Sequence, residues 1–239
     1  MSAPADPHTP PGTRRYLYRD AINGFFEFPT GNARAILPHG LQPVEPHHGM
    51  SVLTVTAFEF HDSAVGAYQE IALSVVVAPR IQHGEPMPRA AMFPFLVGTS
   101  TPEARQHGIE VWHLPHHPAD LDVSFERRAG EITVTAAEGG KPILTLRLTD
   151  RGEVAWEPVE HRYQTFMHDQ AGGYMSPLVM TGPFMEHEEE RGSLVLHPHA
   201  FTSAIDPAEV TTTPFREQWM RDGVETIHPL QTLATYAGR

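Results

Sequence analysis

The sequence predicts an α+β fold that is mostly antiparallel β, built as a curved sheet or cone-shaped barrel with a few flanking helices. Short runs rich in Val, Ile, Thr and aromatic residues recur along most of the chain. Glycine-containing turns such as Arg128-Ala129-Gly130, Gly139-Gly140 and Arg151-Gly152 separate them, which is the pattern of repeated hairpins. Helix signals are confined to a few short stretches. No internal repeat, low-complexity block or later linker divides the 239 residues, so a flexible Pro- and Ala-rich tail over 1–14 and one domain over 15–239 are expected.

Taken in order, "RRYLYRDAINGFFEF" alternates apolar and polar residues and reads as a strand or strand pair. In "PTGNARAILPHGLQPVEP", Thr30 is placed to cap a short helix that Pro38 stops. Ser51–Phe60 and Tyr68–Ala78 form a predicted antiparallel pair across a loop holding Asp62, Ser63 and Gly66. "RAAMFPFLVG" continues the strands. "STPEARQHG" then gives the clearest helix, with Thr101 as cap, Pro102 at the first helical position and Gly108 past its end. From Ile109 the reading returns to strands: "IEVWHLP", "LDVSFERR", "EITVTAAE", "PILTLRLTD", "EPVEHRYQTFMHD", "SPLVMTGPFMEH" and "GSLVLHPHAF". "TPFREQWMRDG" is a second helix candidate, and "EHEEER" at 186–191 a solvated tip whose carboxylates repel one another.

Composition excludes several classes of function. A net charge of −12 with 17 Lys and Arg argues against nucleic acid and anionic lipid, which reward clustered positive charge. No apolar run approaches the roughly 20 residues that span a bilayer, and the N-terminus lacks a secretory apolar core, so a cytoplasmic location is expected. The absence of cysteine rules out disulfides, thiolate nucleophiles and Cys-ligated zinc. The chain has a single lysine, Lys141, in the turn-like "EGGKP", so a Schiff-base mechanism must use that residue or none. No Gly-rich phosphate loop, Gly-x-Ser-x-Gly elbow or His-Glu-x-x-His pattern is present.

Three segments, in order, resemble the acetoacetate decarboxylase superfamily: "YRD" at 18–20 ahead of "ILPHGLQPVEP", "FHDSAVGAYQE" at 60–70, and "GIEVWHLPHH" at 108–117. The resemblance spans roughly 15–150. It implies that Arg19 matches an active-site arginine and Glu70 an active-site glutamate, while a second family glutamate falls near Thr56 and is not kept. In the third segment the family pattern is similar to Gly-Arg-Glu, four residues, Pro-Lys-Lys, with the first lysine forming the Schiff base. Here Gly108-Ile109-Glu110 leads through Val111 to Leu114 into Pro115-His116-His117, so both lysines are histidines. Imidazole cannot form the iminium electron sink, and acetoacetate decarboxylation through a Schiff base is not expected. The resemblance also implies a homo-oligomer.

What the resemblance leaves is a pocket for a small carboxylate or oxo compound. Its expected parts are His116 as general acid/base, His117 tuning it, Glu70 as proton partner, Arg19 holding an anion, and Glu110, Trp112 and His113 as further binding residues. Lyase- or isomerase-type chemistry fits these roles: enolisation, dehydration, retro-aldol cleavage or cyclisation, with secondary metabolism a plausible setting. No cofactor is required. The cluster also permits a metal held by His113, His116 and His117 with His61 or Glu70, although extended backbone sends His116 and His117 to opposite faces. Each residue has a structural reading too: Arg19 as an ion pair, Glu110 as a salt-bridge partner, Trp112 as core, the histidines of 113–117 and "HPH" at 197–199 as turn or surface groups. A non-catalytic small-molecule binding protein on the same fold is the rival class.

Overall fold

The computed structural model describes residues 10–81, 83–152 and 156–233. Of the expected tail, residues 1–9 lie outside these, and Arg14 already begins a strand. In chain order the elements are β1 (Arg14–Pro29), α1 (Thr30–Ile36), β2 (Met50–Asp62), β3 (Tyr68–Val77), β4 (Ala90–Thr99) and α2 (Pro102–Trp112). They continue with β5 (Asp122–Arg128), β6 (Glu131–Glu138), β7 (Lys141–Thr149), β8 (Glu157–Asp169), β9 (Gly172–His187), β10 (Ser193–Leu196), β11 (Arg216–Ile227) and β12 (Gln231–Leu233). Single 3-10 turns at 200–202 and 207–209 lie between β10 and β11.

Strand pairing runs β11-β1-β2-β3-β4-β8-β9, and β11 also pairs with β9, so seven strands close into a barrel. All these pairs are antiparallel except β4 with β8, making the barrel mixed. β12 extends β9 outside the closure. The second sheet, β10-β7-β6-β5, is antiparallel throughout and covers the outer face of the barrel. Between the two layers lies the main core: Phe26, Leu53, Ile71 and Leu73 from the barrel meet Ile132, Val134, Leu146 and Leu148 from the sheet, all fully buried. Burial of these alternating faces is the dominant favourable contribution to folding.

Two ionic clusters tie the layers. Asp20 of β1, 2% exposed, accepts Trp219 Nε1–H of β11 at 2.6 Å and Arg127 Nε–H of β5 at 2.7 Å, and Arg127 also pairs with Glu59 of β2. Glu217 of β11 is fully buried, and its carboxylate accepts the backbone N–H groups of Thr149 (2.7 Å), Gly192 (2.7 Å) and Arg191 (3.0 Å). It thereby fixes the end of β7 and the approach to β10.

The strand and hairpin expectations match the observed elements closely, and four local expectations are corrected. The helix starting after Thr101 does not stop at Gly108 but runs to Trp112, so "IEVW" is helical rather than extended. Gly108 serves packing there, since a Cβ at that position would lie 2.0 Å from His116 Nε2. The segment "TPFREQWMRDG" is strand β11 rather than helix. Its residues Glu217–Met220 are buried on both faces, which hides the period-two signal. Thr30 lies inside α1, whose N-cap is Pro29, and its hydroxyl accepts Ser51 Oγ–H at 2.9 Å instead of capping. Finally, 186–191 is no field of unpaired carboxylates: Glu186 pairs with Arg89, Glu188 with Arg216 and Glu189 with Arg151 and Arg191.

Removing one charge tests the Glu217 knot. In Glu217→Gln an amide N–H₂ is turned on backbone donors that need an acceptor, and a loss of about 2–3 kcal/mol of unfolding free energy is expected in urea melts. An unchanged midpoint would show that the knot is not a stabilising element.

Candidate active site

The barrel interior holds a cavity lined mostly by apolar side chains. Strand alternation fills its wall: Tyr68, Glu70, Ala72 and Ser74 point inward from β3, Tyr163, Thr165 and Met167 from β8, and Ser176, Leu178 and Met180 from β9. Helix α2 lies against it, contributing Ala104, His107, Gly108 and Trp112 to its wall. Thr101 holds the start of the helix by accepting Ala104 N–H at 3.3 Å; at its end His113 adopts the left-handed conformation, φ 53°, and Leu114 N–H returns to Gly108 O at 3.1 Å.

Two carboxyl groups face this largely apolar space, Glu70 from β3 and Glu225 from β11. Burial pushes the Glu70 carboxyl up to about 7. Burial raises Glu225 well above the usual carboxylate range, and the neighbouring Glu70 charge pushes it the same way. Close by, Tyr16 OH accepts Trp112 Nε1–H at 2.7 Å and lies 2.7 Å from His107 Nε2, to which it donates. Burial raises the Tyr16 phenol, and both glutamates add to that, so it is a neutral donor at physiological pH. Burial and the nearby Arg14 lower His107, leaving its ring neutral and able to accept. Further along β1, Thr56 Oγ1–H of the neighbouring β2 donates to Asn23 Oδ1 at 3.0 Å. No Lys or Arg is among the described residues lining the cavity, and Lys141 sits exposed at the β6–β7 turn.

Of the residues singled out from the sequence, only Glu70 and Trp112 line this cavity. Arg19 turns outward, its side chain 59% exposed and 3.7 Å from Glu59. The cause is an irregularity of β1 against β2 at 17–20, which buries both Tyr18 and Asp20 and leaves the residue between them facing solvent. Glu110 is exposed on α2 and accepts a hydrogen bond from Gln106. His113 bonds Asp169 at 2.6 Å and stacks on Tyr174 with ring centroids 4.3 Å apart, pinning the end of α2 to the β8–β9 hairpin. His116 is wedged behind Gly108 with neither ring nitrogen partnered, and burial, with Arg105 nearby, pushes its imidazole down to about 4. His117 points the other way and bonds Glu138 at 2.6 Å. The adjacent histidines therefore do face opposite sides, and the metal set His113, His116 and His117 with His61 or Glu70 is dispersed. A different trio, His117, Glu138 and His199, brings its ligand atoms within 4.8 Å of one another.

Sequence reasoning missed Glu225, Tyr16 and His107. Glu225 follows the segment read as a helix; taken as a strand, that segment and its continuation carry Gln218, Met220 and Glu225 to the cavity, with a bulge between Met220 and Val224. Tyr16 heads the alternating run of β1, where it reads as ordinary core.

The class of protein is thus a closed β-barrel with an internal, carboxyl-bearing cavity lidded by a helix. A family model described as "Acetoacetate decarboxylase (ADC)" matches residues 1–204, and the chain belongs to that family. Solved structures agree on the fold. An acetoacetate decarboxylase from Legionella pneumophila is similar at TM-score 0.65 and 18% identity, covering 100% of this chain and 94% of that one. The enduracididine biosynthesis enzyme MppR, in complex with pyruvate, is similar at TM-score 0.60 and 13% identity, covering 96% and 93%. An acetoacetate decarboxylase-like enzyme from Sphingomonas wittichii RW1 gives TM-score 0.58 and 17% identity over 97% and 99%. No curated protein sequence matches. Among the described residues no helix is long and apolar enough to cross a membrane.

The raised Glu70 carboxyl has a signed consequence for stability. The unfolded chain releases this proton near 4.5 and the folded chain near 7, so between those values folding holds a proton that unfolding frees. The Glu70 contribution is most favourable below pH 4.5 and is lost as pH rises to about 7. Glu70→Gln is therefore expected to be more stable than wild type at pH 8, by on the order of 1–3 kcal/mol, and to lose that advantage at pH 4.5. Parallel urea melts at the two pH values measure it, and an advantage that does not depend on pH would place Glu70 in ordinary solvent.

Proposed function

We propose that this chain is an acetoacetate decarboxylase-family enzyme that works without a Schiff base, catalysing proton transfer on a small, uncharged oxo compound with the carboxyl pair of its cavity. The observation that carries this reading is a pair of glutamates with raised proton affinity in a largely apolar cavity whose wall, among the described residues, has no amine and no guanidinium. A carboxylate substrate would meet two acidic groups and no cation. A ketone or aldehyde meets an apolar surface and hydrogen-bond donors.

The chemistry follows from the unequal proton affinities. Glu70 is divided between its two forms near neutral pH, so its carboxylate can take the proton α to a carbonyl. Glu225 keeps its proton and donates to the carbonyl oxygen, stabilising the enol as charge develops there. Return of the Glu70 proton to another carbon gives an isomer, and its delivery to a β-hydroxyl expels water. Tyr16 accepts Trp112 Nε1–H and gives its single O–H to His107, so it fixes this part of the wall beside Glu225 rather than donating to substrate. Lyase- or isomerase-type steps of this kind suit biosynthetic chemistry such as that named for MppR. His116 and His117 act here through position, backing α2 on one side and the second sheet on the other.

Exchange of α-protons in D₂O tests the reading directly. Incubating the protein with a panel of small ketones, aldehydes and oxo acids and following deuteration by NMR should show exchange in neutral compounds, lost roughly 10²–10⁴-fold in Glu70→Gln and strongly reduced in Glu225→Gln. Loss in His116→Ala with Glu70→Gln unaffected would return the chemistry to histidine, saturable binding without exchange would make the chain a binding protein, and a borohydride-trapped adduct would restore a Schiff base.

A further inference from the structure

Outside the cavity, the loop after α2, the β6–β7 hairpin and the segment after β10 meet at one point. His117 comes from the first, Glu138 from the second and His199 from the third. His117 Nε2 lies 2.6 Å and His199 Nε2 3.5 Å from the same Glu138 Oε2. The backbones that carry the two imidazoles are held by amide hydrogen bonds. His117 N–H bonds Val97 O at 2.8 Å, and its ring stands edge-on to Phe201 with centroids 5.7 Å apart. His199 N–H bonds Thr202 Oγ1 at 3.1 Å in the 3-10 turn, and His197 N–H, two residues earlier, bonds Ile143 O at 2.9 Å. The His117 and His199 side chains are 6% and 12% exposed, while Glu138 is 35% exposed, so the rigid donors are inside and the adjustable one is at the rim.

We propose that His117, Glu138 and His199 bind one divalent transition-metal ion of the zinc type, with water completing its shell on the Glu138 side. Two imidazoles and one carboxylate are a donor set such ions favour, and three ligands from three separated segments fix a geometry that solvent can complete. The 2.6 Å His117–Glu138 separation is shorter than the spacing of roughly 3.3 Å between ligands around a tetrahedral ion, while the 3.5 Å His199–Glu138 separation is not, and the half-exposed Glu138 side chain is the one free to make room. In His199, Nδ1 accepts the Phe201 amide at 3.1 Å, so Nε2 carries the ring proton. Loading the ion at Nε2 puts the ring proton on Nδ1, opposite the Phe201 N–H, so the His199 ring must turn away from that amide as the ion binds, while the backbone bond of His199 to Thr202 Oγ1 keeps the turn closed. The ion staples residues 113–121, and with them His116 behind α2, to the second sheet. The site is separate from the cavity, and its role is structural.

Cobalt titration of chelator-treated full-length protein decides the matter. Co²⁺ should bind at one equivalent per chain with the visible absorption of a four- or five-coordinate site, Zn²⁺ should displace it, and Zn²⁺ should raise the melting temperature. Glu138→Gln, a conservative change at a rim position, and His199→Gln should each weaken binding by more than the roughly 10–100-fold that loss of an outer partner costs, with circular dichroism confirming the fold. His113→Gln and Glu70→Gln should bind as wild type. No saturable equivalent in wild type, or binding that persists in both Glu138→Gln and His199→Gln, would overturn the proposal, because the chain's other histidines would then account for any uptake.

Discussion

Everything that gives this protein an interior depends on β11 pairing with β1 on one side and β9 on the other. Without that double pairing the strands form an open, twisted sheet with no enclosed volume. The closure is held by polar as well as apolar contacts. Glu217 and Trp219 point outward from β11 to the loop before β10 and to Asp20, while Gln218, Met220 and Glu225 of the same strand point inward. The strand also needs a bulge, where Gly223 passes so close to Thr181 O and Tyr18 OH that a Cβ would lie 2.1 and 2.3 Å from them. One strand therefore supplies both the seal and half of the carboxyl pair.

The acids of the interior divide by how their oxygens are met. Glu217 and Asp20 are surrounded by donors, so each lies in a polar knot that fixes the chain. Glu70 and Glu225 face an apolar space and each other, and what burial does to them is to hold protons where a carboxyl ordinarily has none. All four are carboxyl groups. The difference lies in strand facing, and it separates groups that build the barrel from groups that can do chemistry inside it.

Facing also explains how much of this was legible in the sequence. Strand runs, hairpin turns and the Thr101-Pro102 helix start are local signals and are visible in order along the chain. Glu70 was legible through its place in a recognisable segment. Arg19 was misplaced because the irregularity at 17–20 has no local signature, and one residue of slip sends a side chain to the other face. β11 escaped because a run buried on both sides loses its alternation. The meeting of His117, Glu138 and His199 depends on three segments 21 and 61 residues apart in sequence, which no spacing rule connects.

The solitary lysine has a practical meaning. Lys141 ends a hairpin on the second sheet, exposed and away from the barrel interior. The only side-chain amine the protein offers is therefore a tag site on its outside: a dye or surface linker placed on Lys141 sits at the β6–β7 turn, away from the residues that line the cavity. Among the described residues the wall of the barrel interior carries no amine, so no lysine there can condense with a carbonyl group.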